Sequence, residues 1–145
     1  MKIGIVGGGP AGLYFALLMK NLDSSHEIRL VEQNPPDATY GWGVVFSHRA
    51  LSLLGNSDRD CYLDINSDLE IWDRLVIVHK EEPVAIDGSL FSGISRIRLL
   101  QILQEHCRRR GVKLQFETRL DDLDIFADCD LIVGADGVNS FVRQR

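Results

Sequence analysis

The stretch that most limits how this chain can fold is Gly7-Gly8-Gly9-Pro10-Ala11-Gly12, set directly behind Lys2-Ile3-Gly4-Ile5-Val6. The residues before it read as a short buried strand, and Leu13, Leu17 and Leu18 after it recur on one face of a helix. Glycines at 7, 9 and 12 fill the fixed positions of a G-x-G-x-x-G turn between strand and helix. Gly7 permits the tight turn, Gly9 lets a pyrophosphate approach the backbone, and Gly12 lets the helix pack closely on the sheet. The helix start, with Pro10 and Ala11 in its first turn, offers unpaired N–H groups and a positive dipole end to an anion. Glu32 follows Gly12 by twenty residues, at the end of a second strand in His26-Glu27-Ile28-Arg29-Leu30-Val31. An acidic residue at that spacing accepts hydrogen bonds from a ribose. Gln33 and Asn34 come next with no adjacent arginine, so the pocket suits FAD or NAD and disfavours a 2'-phosphate.

The rest of the chain extends this pattern. Asn34-Pro35-Pro36 ends the second strand, and residues 39–46 (Thr-Tyr-Gly-Trp-Gly-Val-Val-Phe) read as a glycine- and aromatic-rich loop. Ser47 is placed to cap a short helix that Gly55 ends. Residues 74–87 read as two strands around a turn at Glu81 to Pro83, an inserted β-hairpin. A helix is expected from Ser95 to Arg110, with Ile97, Leu100 and Leu103 in register, then an alternating strand from Val112. Leu131 to Gly134 reads as a last strand buried on both faces, followed by Asp136-Gly137. Strand, helix, strand and later crossovers predict an α/β fold, a Rossmann-like doubly wound parallel sheet of order 3-2-1-4. In that order the first and last strands flank the switch point, so the Gly7 and Asp136 turns open into one crevice.

Composition narrows the function classes. At 145 residues the chain fits one domain, and 45% hydrophobic with 26% charged residues is ordinary globular usage. The net charge of -5 disfavours nucleic acid and anionic membrane as partners. Arg108-Arg109-Arg110 sits where a helix ends before Gly111, a position that favours cations. Three scattered cysteines and four dispersed histidines suggest neither a disulfide framework nor a metal site. No apolar run approaches the ~18 residues of a membrane span, and a single lysine before a strand is not a signal peptide, so a cytoplasmic protein is expected. No oligomeric state can be read from these features.

Residues 130–143 (Asp-Leu-Ile-Val-Gly-Ala-Asp-Gly-Val-Asn-Ser-Phe-Val-Arg) resemble the Asp-Gly motif of the single-component FAD aromatic monooxygenases, the flavoprotein hydroxylases. The match runs from Asp130 through Gly134, Asp136 and Gly137 to Asn139, Ser140 and Arg143. Residues 40–54 and 91–107 are similar to the branch that contains salicylyl-CoA 5-hydroxylase and 2-aminobenzoyl-CoA monooxygenase. The resemblance implies FAD held by the glycine turn, Glu32 with Gln33, Gly43, Arg96 and the Asp136-Gly137 turn. Arg96 would reach the FAD phosphates, and the Gly41-Trp42-Gly43 loop would run beside the flavin. For Trp42 the plain structural alternative is packing beneath its own loop. The activity implied is NADH- or NADPH-driven hydroxylation of a small aromatic substrate by O2, through a flavin C4a-hydroperoxide, with an aryl-CoA ester as a candidate substrate. No residue stands out as a catalytic acid or base. The family's second Gly-Asp motif and its substrate domain have no counterpart in these residues. The expectation is therefore an N-terminal FAD-binding domain over residues 1–145, incomplete, with further chain beyond Arg145. The competing readings are an NAD-dependent dehydrogenase, which shares the glycine turn and Glu32 but has no need of the Asp136 turn, and a non-catalytic dinucleotide-binding module if the chain is complete.

Overall fold

The computed structural model describes residues 1–38 and 40–145, with all their side chains except that of Ser89. In order, the elements are β1 (Lys2–Val6), α1 (Pro10–Leu22), β2 (Glu27–Val31), β3 (Gly43–Ser47), α2 (His48–Ser57), α3 (Arg59–Ser67), β4 (Glu70–His79), β5 (Glu82–Ser95), α4 (Arg96–Arg109), β6 (Lys113–Gln115) and β7 (Leu131–Gly134). The result is a mixed α/β structure with one parallel and one antiparallel sheet. The chain divides into two compact units, residues 1–40 with 99–145, and residues 41–98.

In the first unit the strand order is β6-β2-β1-β7, all parallel. This is the 3-2-1-4 order expected from the sequence. Val6 is the last paired residue of β1, aligned with Val31 on one side and Gly134 on the other. The three strands therefore end level, and their following turns meet at one edge. Side chains alternate between the faces of a strand, so Ile3, Ile5, Ile28 and Leu30 share one face and are at most 1% exposed. Leu13, Ala16 and Leu17 of α1 and Leu99, Leu100, Ile102, Leu103 and Cys107 of α4 are buried as well. The Cys107 thiol donates to the Leu13 carbonyl at 3.4 Å, which ties α4 to α1.

Gly4 and Val6 point to the opposite face, and Phe126 covers it. A Cβ built on Gly4 would lie 2.4 Å from the Phe126 ring, so glycine at this strand position is a packing requirement. Phe126 is 1% exposed and packs with Val6 and Val31, with Leu120, Leu123, Ile132 and Val142 around them. The Arg29 guanidinium lies over the same ring, 5.8 Å from its centroid, and pairs with Asp128.

The second unit holds the antiparallel sheet β3-β5-β4 with α2 and α3. The hairpin between β4 and β5 turns at Lys80 and Glu81, both with positive φ, so the turn falls slightly earlier than the expected Glu81 to Pro83. Two positive-φ residues between paired strands match the twist of a tight hairpin. Trp72 and Phe91 stack across it at 6.2 Å. Farther out, Val76, Ile77 and Val78 are 48%, 48% and 68% exposed.

The sequence reading needs three corrections. Part of the expected loop at 39–46 is strand β3, whose Val44 and Phe46 alternate inward and whose backbone pairs with β5; Thr39 lies outside the described residues. Gly55 does not end α2, which runs on to Ser57, because Asp58 turns extended there and caps the following α3 by accepting from Cys61 N–H at 3.1 Å. That buried cap outweighs the roughly 1 kcal/mol that a helical glycine costs. β7 is not buried on both faces: it pairs only with β1 among the described residues, leaving Leu131 37% exposed. The Ser47 cap is as read, accepting from Ala50 N–H; Ser95 likewise accepts from Arg98 N–H at the start of α4.

Phe126 is the largest buried side chain in the cluster on the Gly4 face of the sheet. Phe126→Ala should therefore cost about 3–5 kcal/mol of unfolding free energy, measured by urea denaturation, whereas a cost under ~1 kcal/mol would mean that the face closes without it.

Candidate dinucleotide site

At the C-terminal edge of the parallel sheet, the turns after β1, β2 and β7 are in direct contact. Gly7 N–H donates to the Val31 carbonyl at 2.8 Å, and Ala135 N–H donates to the Val6 carbonyl at 2.7 Å. Gly7 has φ +109, and a Cβ there would stand 2.3 Å from the Ala135 carbonyl oxygen and 2.8 Å from the Asp136 nitrogen. A Cβ on Gly12 would collide with the Gly7 carbonyl at 2.1 Å and touch Ala135 at 3.2 Å. Gly7 and Gly12 are thus explained by close backbone approach inside the protein. Gly9 is different: nothing lies within 4 Å of where its Cβ would be. Its missing side chain serves open space at the head of α1, where Gly9 is the N-cap residue with no side-chain cap bond and Pro10 opens the helix. The first-turn N–H groups of a helix lack helical acceptors, so a donor-rich edge faces outward beside Gly9 and the exposed Ala11.

Glu32 follows β2 and reaches back to this turn. Its Oε2 accepts from Gly8 N–H at 2.7 Å, and its Oε1 accepts from both the backbone N–H and the side-chain amide of Asn34, at 2.9 and 2.6 Å. Neighbouring Gln33 is exposed. The backbone on either side is tied to the β6 end, with Glu32 N–H bound to the Gln115 carbonyl and Thr118 N–H to the Glu32 carbonyl.

Asp136 organises the third turn. Its Oδ1 accepts from the Ser140 hydroxyl at 2.6 Å, and its Oδ2 accepts from the N–H groups of Phe141 and Val142 at 2.6 and 3.2 Å. Burial acts to raise its pKa, but the Ser140 hydroxyl and the backbone N–H donors outweigh that and hold the carboxyl below its ordinary value. Gly137, at φ +84, takes the left-handed step that brings the chain round. Arg143 closes the turn by donating to the Val138 carbonyl at 2.6 Å. Sequence reading gave Ser140 and Arg143 only as motif positions; here they brace Asp136, with Ser140 8% exposed.

Arg96 and Gly43 belong to the second unit. Arg96 opens α4, its N–H donates to the Trp42 carbonyl at 3.3 Å, and its Cδ lies 3.8 Å from a Cβ built on Gly41. Arg96 therefore sits against the Gly41-Trp42-Gly43 loop. Gly43 is a glycine because the Ile94 carbonyl of β5 passes 3.1 Å from its Cβ position. Trp42 is 98% exposed, which rules out packing beneath the loop. Among the described residues no group of three or more His, Cys, Asp or Glu gathers to hold a metal, and no helix is long and apolar enough to cross a membrane.

In Asp136 the depressed pKa marks a carboxylate that stabilises the fold. Its contribution is complete above the ordinary pKa of 3.8 and is lost as pH falls through the lower folded value. Asp136→Asn keeps the shape but loses an acceptor, and should cost roughly 1–2 kcal/mol at pH 7. The gap to the unsubstituted chain should shrink from about pH 4 downward in thermal unfolding; a gap constant from pH 7 to pH 2 would contradict this.

No family model matches the chain, but curated proteins do. Salicyloyl-CoA 5-hydroxylase of a Streptomyces species is 34% identical over 143 residues, covering 99% of this chain and 28% of that protein. The 3-hydroxy-4-methyl-anthranilyl-[aryl-carrier protein] 5-monooxygenase of Streptosporangium sibiricum is 33% identical over 145 residues, covering all of this chain and 40% of its own length. The chain thus spans well under half of the relatives it matches. In fold it is similar to 2-methyl-3-hydroxypyridine-5-carboxylic acid oxygenase, with a TM-score of 0.79 over 96% of this chain and 40% of that one, at 23% identity. Over the stretch they share, these 145 residues are similar to part of proteins named as aromatic hydroxylases and monooxygenases.

Proposed function

We propose that this chain is the FAD-binding part of an aromatic monooxygenase that is reduced by NADH or NADPH. The observation that carries the reading is the convergence of the Gly7 turn, Glu32 and the Asp136 turn at the carboxyl edge of a parallel sheet, where such sheets take nucleotides. The residues fit a dinucleotide: space beside Gly9 for a pyrophosphate, uncapped N–H groups at the head of α1, and the Glu32 carboxylate bonded to the same turn. Bound FAD, once reduced, supplies the activation of O2 for insertion into an aromatic ring.

In this reading the N–H groups of the first turn of α1, with Pro10 and Ala11, take the pyrophosphate, and Glu32 accepts from the adenosine ribose. The Asp136-Gly137 turn, stiffened by Ser140 and Arg143, closes the pyrophosphate side. Gln33, Gly43 and Arg96 stand as cofactor contacts on the family resemblance alone. The relatives' names support a carrier-linked aromatic acid as substrate, one being a CoA ester hydroxylase and the other acting on an aryl-carrier protein. We further propose that the substrate-binding part belongs to a longer protein. The relatives' greater length and the exposed apolar hairpin around Val76 to Val78 support this.

Two substitutions test the cofactor site. Gly9→Val adds a side chain where the protein has open space, so folding stability should change by less than ~1 kcal/mol, while FAD affinity falls at least about tenfold by steric exclusion. Glu32→Ala should weaken FAD by roughly ten- to a hundredfold, the cost of a charged hydrogen bond. Flavin fluorescence quenching measures both. Full affinity in both variants would overturn the assignment, and NAD binding without flavin binding would favour the dehydrogenase.

A further inference from the structure

We infer that Asn34 is a positioning residue that presets the Glu32 carboxylate for a single ribose hydroxyl at Oε2. This rests on the reading of Glu32 as the ribose acceptor and adds to it a residue that no motif singles out.

An ionised carboxylate has about four acceptor sites, two on each oxygen. On Oε1 both are taken, by Asn34 N–H at 2.9 Å and Asn34 Nδ2 at 2.6 Å. On Oε2 one is taken by Gly8 N–H at 2.7 Å, leaving one. The carboxylate is therefore locked from both ends, with its remaining acceptor site on Oε2. A free glutamate is rich in rotamers and loses entropy when a ligand orders it. Asn34 takes that loss on folding, before any nucleotide arrives, which is how preorganisation raises affinity.

Asn34 is itself held. Its Oδ1 accepts from the Tyr40 hydroxyl at 3.1 Å, and its carbonyl accepts from Glu117 N–H at 3.2 Å. Two residues on, the Pro36 carbonyl accepts from Gln104 Nε2 at 2.8 Å, and Gln104 on α4 is 4% exposed. The loop backbone is thus anchored independently of the Asn34 side chain, so truncating that side chain removes the shortest of the three bonds on the carboxylate and loosens it without releasing the loop.

The test compares ADP with 2',3'-dideoxy-ADP by calorimetry on the full chain, unsubstituted and as Asn34→Ala and Asn34→Asp. The unsubstituted chain should prefer ADP about tenfold, the size of one hydrogen bond to a charged group. Asn34→Ala should reduce that preference to about threefold or less, with dideoxy-ADP affinity unchanged, which also reports an intact fold. Asn34→Asp sets a second carboxylate against Oε1 and should erode the preference at least as far, again sparing dideoxy-ADP. A preference for ADP that survives both substitutions overturns the inference alone, as does an equal loss for both nucleotides. Equal affinity of the unsubstituted chain for the two nucleotides, or binding of neither, overturns the Glu32 reading and this inference with it.

Discussion

The parallel sheet of the first unit depends on one contact, the meeting of the Gly7 turn with the Ala135-Asp136 backbone. At 2.3 Å from a carbonyl oxygen, the Gly7 Cβ position admits no side chain, and Gly7 also holds a positive φ. Two separate demands, sterics and handedness, fall on one residue. Once that contact forms, Val6 and Gly134 align and β7 docks beside β1. The Asp136 turn then comes to stand at the head of α1. The same closeness explains Gly12, which lets α1 approach both turns at once.

Energetically, the edge is built from backbone groups aimed by a few charged side chains. Glu32 and Asp136 each satisfy three donors, and each joins its own turn to a neighbouring segment. Charged hydrogen bonds of this kind are stronger than neutral ones, and they fix loops that would otherwise move. Below them, Phe126 and the α1 and α4 leucines supply the apolar burial that holds the strands level. The donors at the head of α1 remain the part that the protein's own side chains do not cap. In the proposed reading this is the part that the cofactor's pyrophosphate would take.

Much of this was legible in the sequence because the glycine spacing, Glu32 and the Asp136 stretch are local signals with fixed geometry. The sheet order followed from them through connection rules. What the sequence hid was non-local. β3 was obscured by Gly41 and Gly43, and only its pairing with β5 makes it a strand. Gly55 reads as a helix stop, but the decisive stop is Asp58, serving two helices at once. Gly4 carries no motif, and its reason is an aromatic ring brought from 122 positions further along the chain. Asn34 looked like part of a turn, because nothing in a sequence tells that its amide will face Glu32.

The central claim is that the Gly7 and Asp136 turns form one nucleotide-binding edge, and an amide-resolved NMR titration of the full chain with ADP tests it most directly. The account predicts that the N–H signals of Gly8, Gly9, Ala11, Gly12 and Gly137 shift together with a single saturating Kd, while those of the Val76 to Val78 hairpin stay in place. Shifts confined to other segments, or no response at the glycine turn at saturating nucleotide, would contradict it.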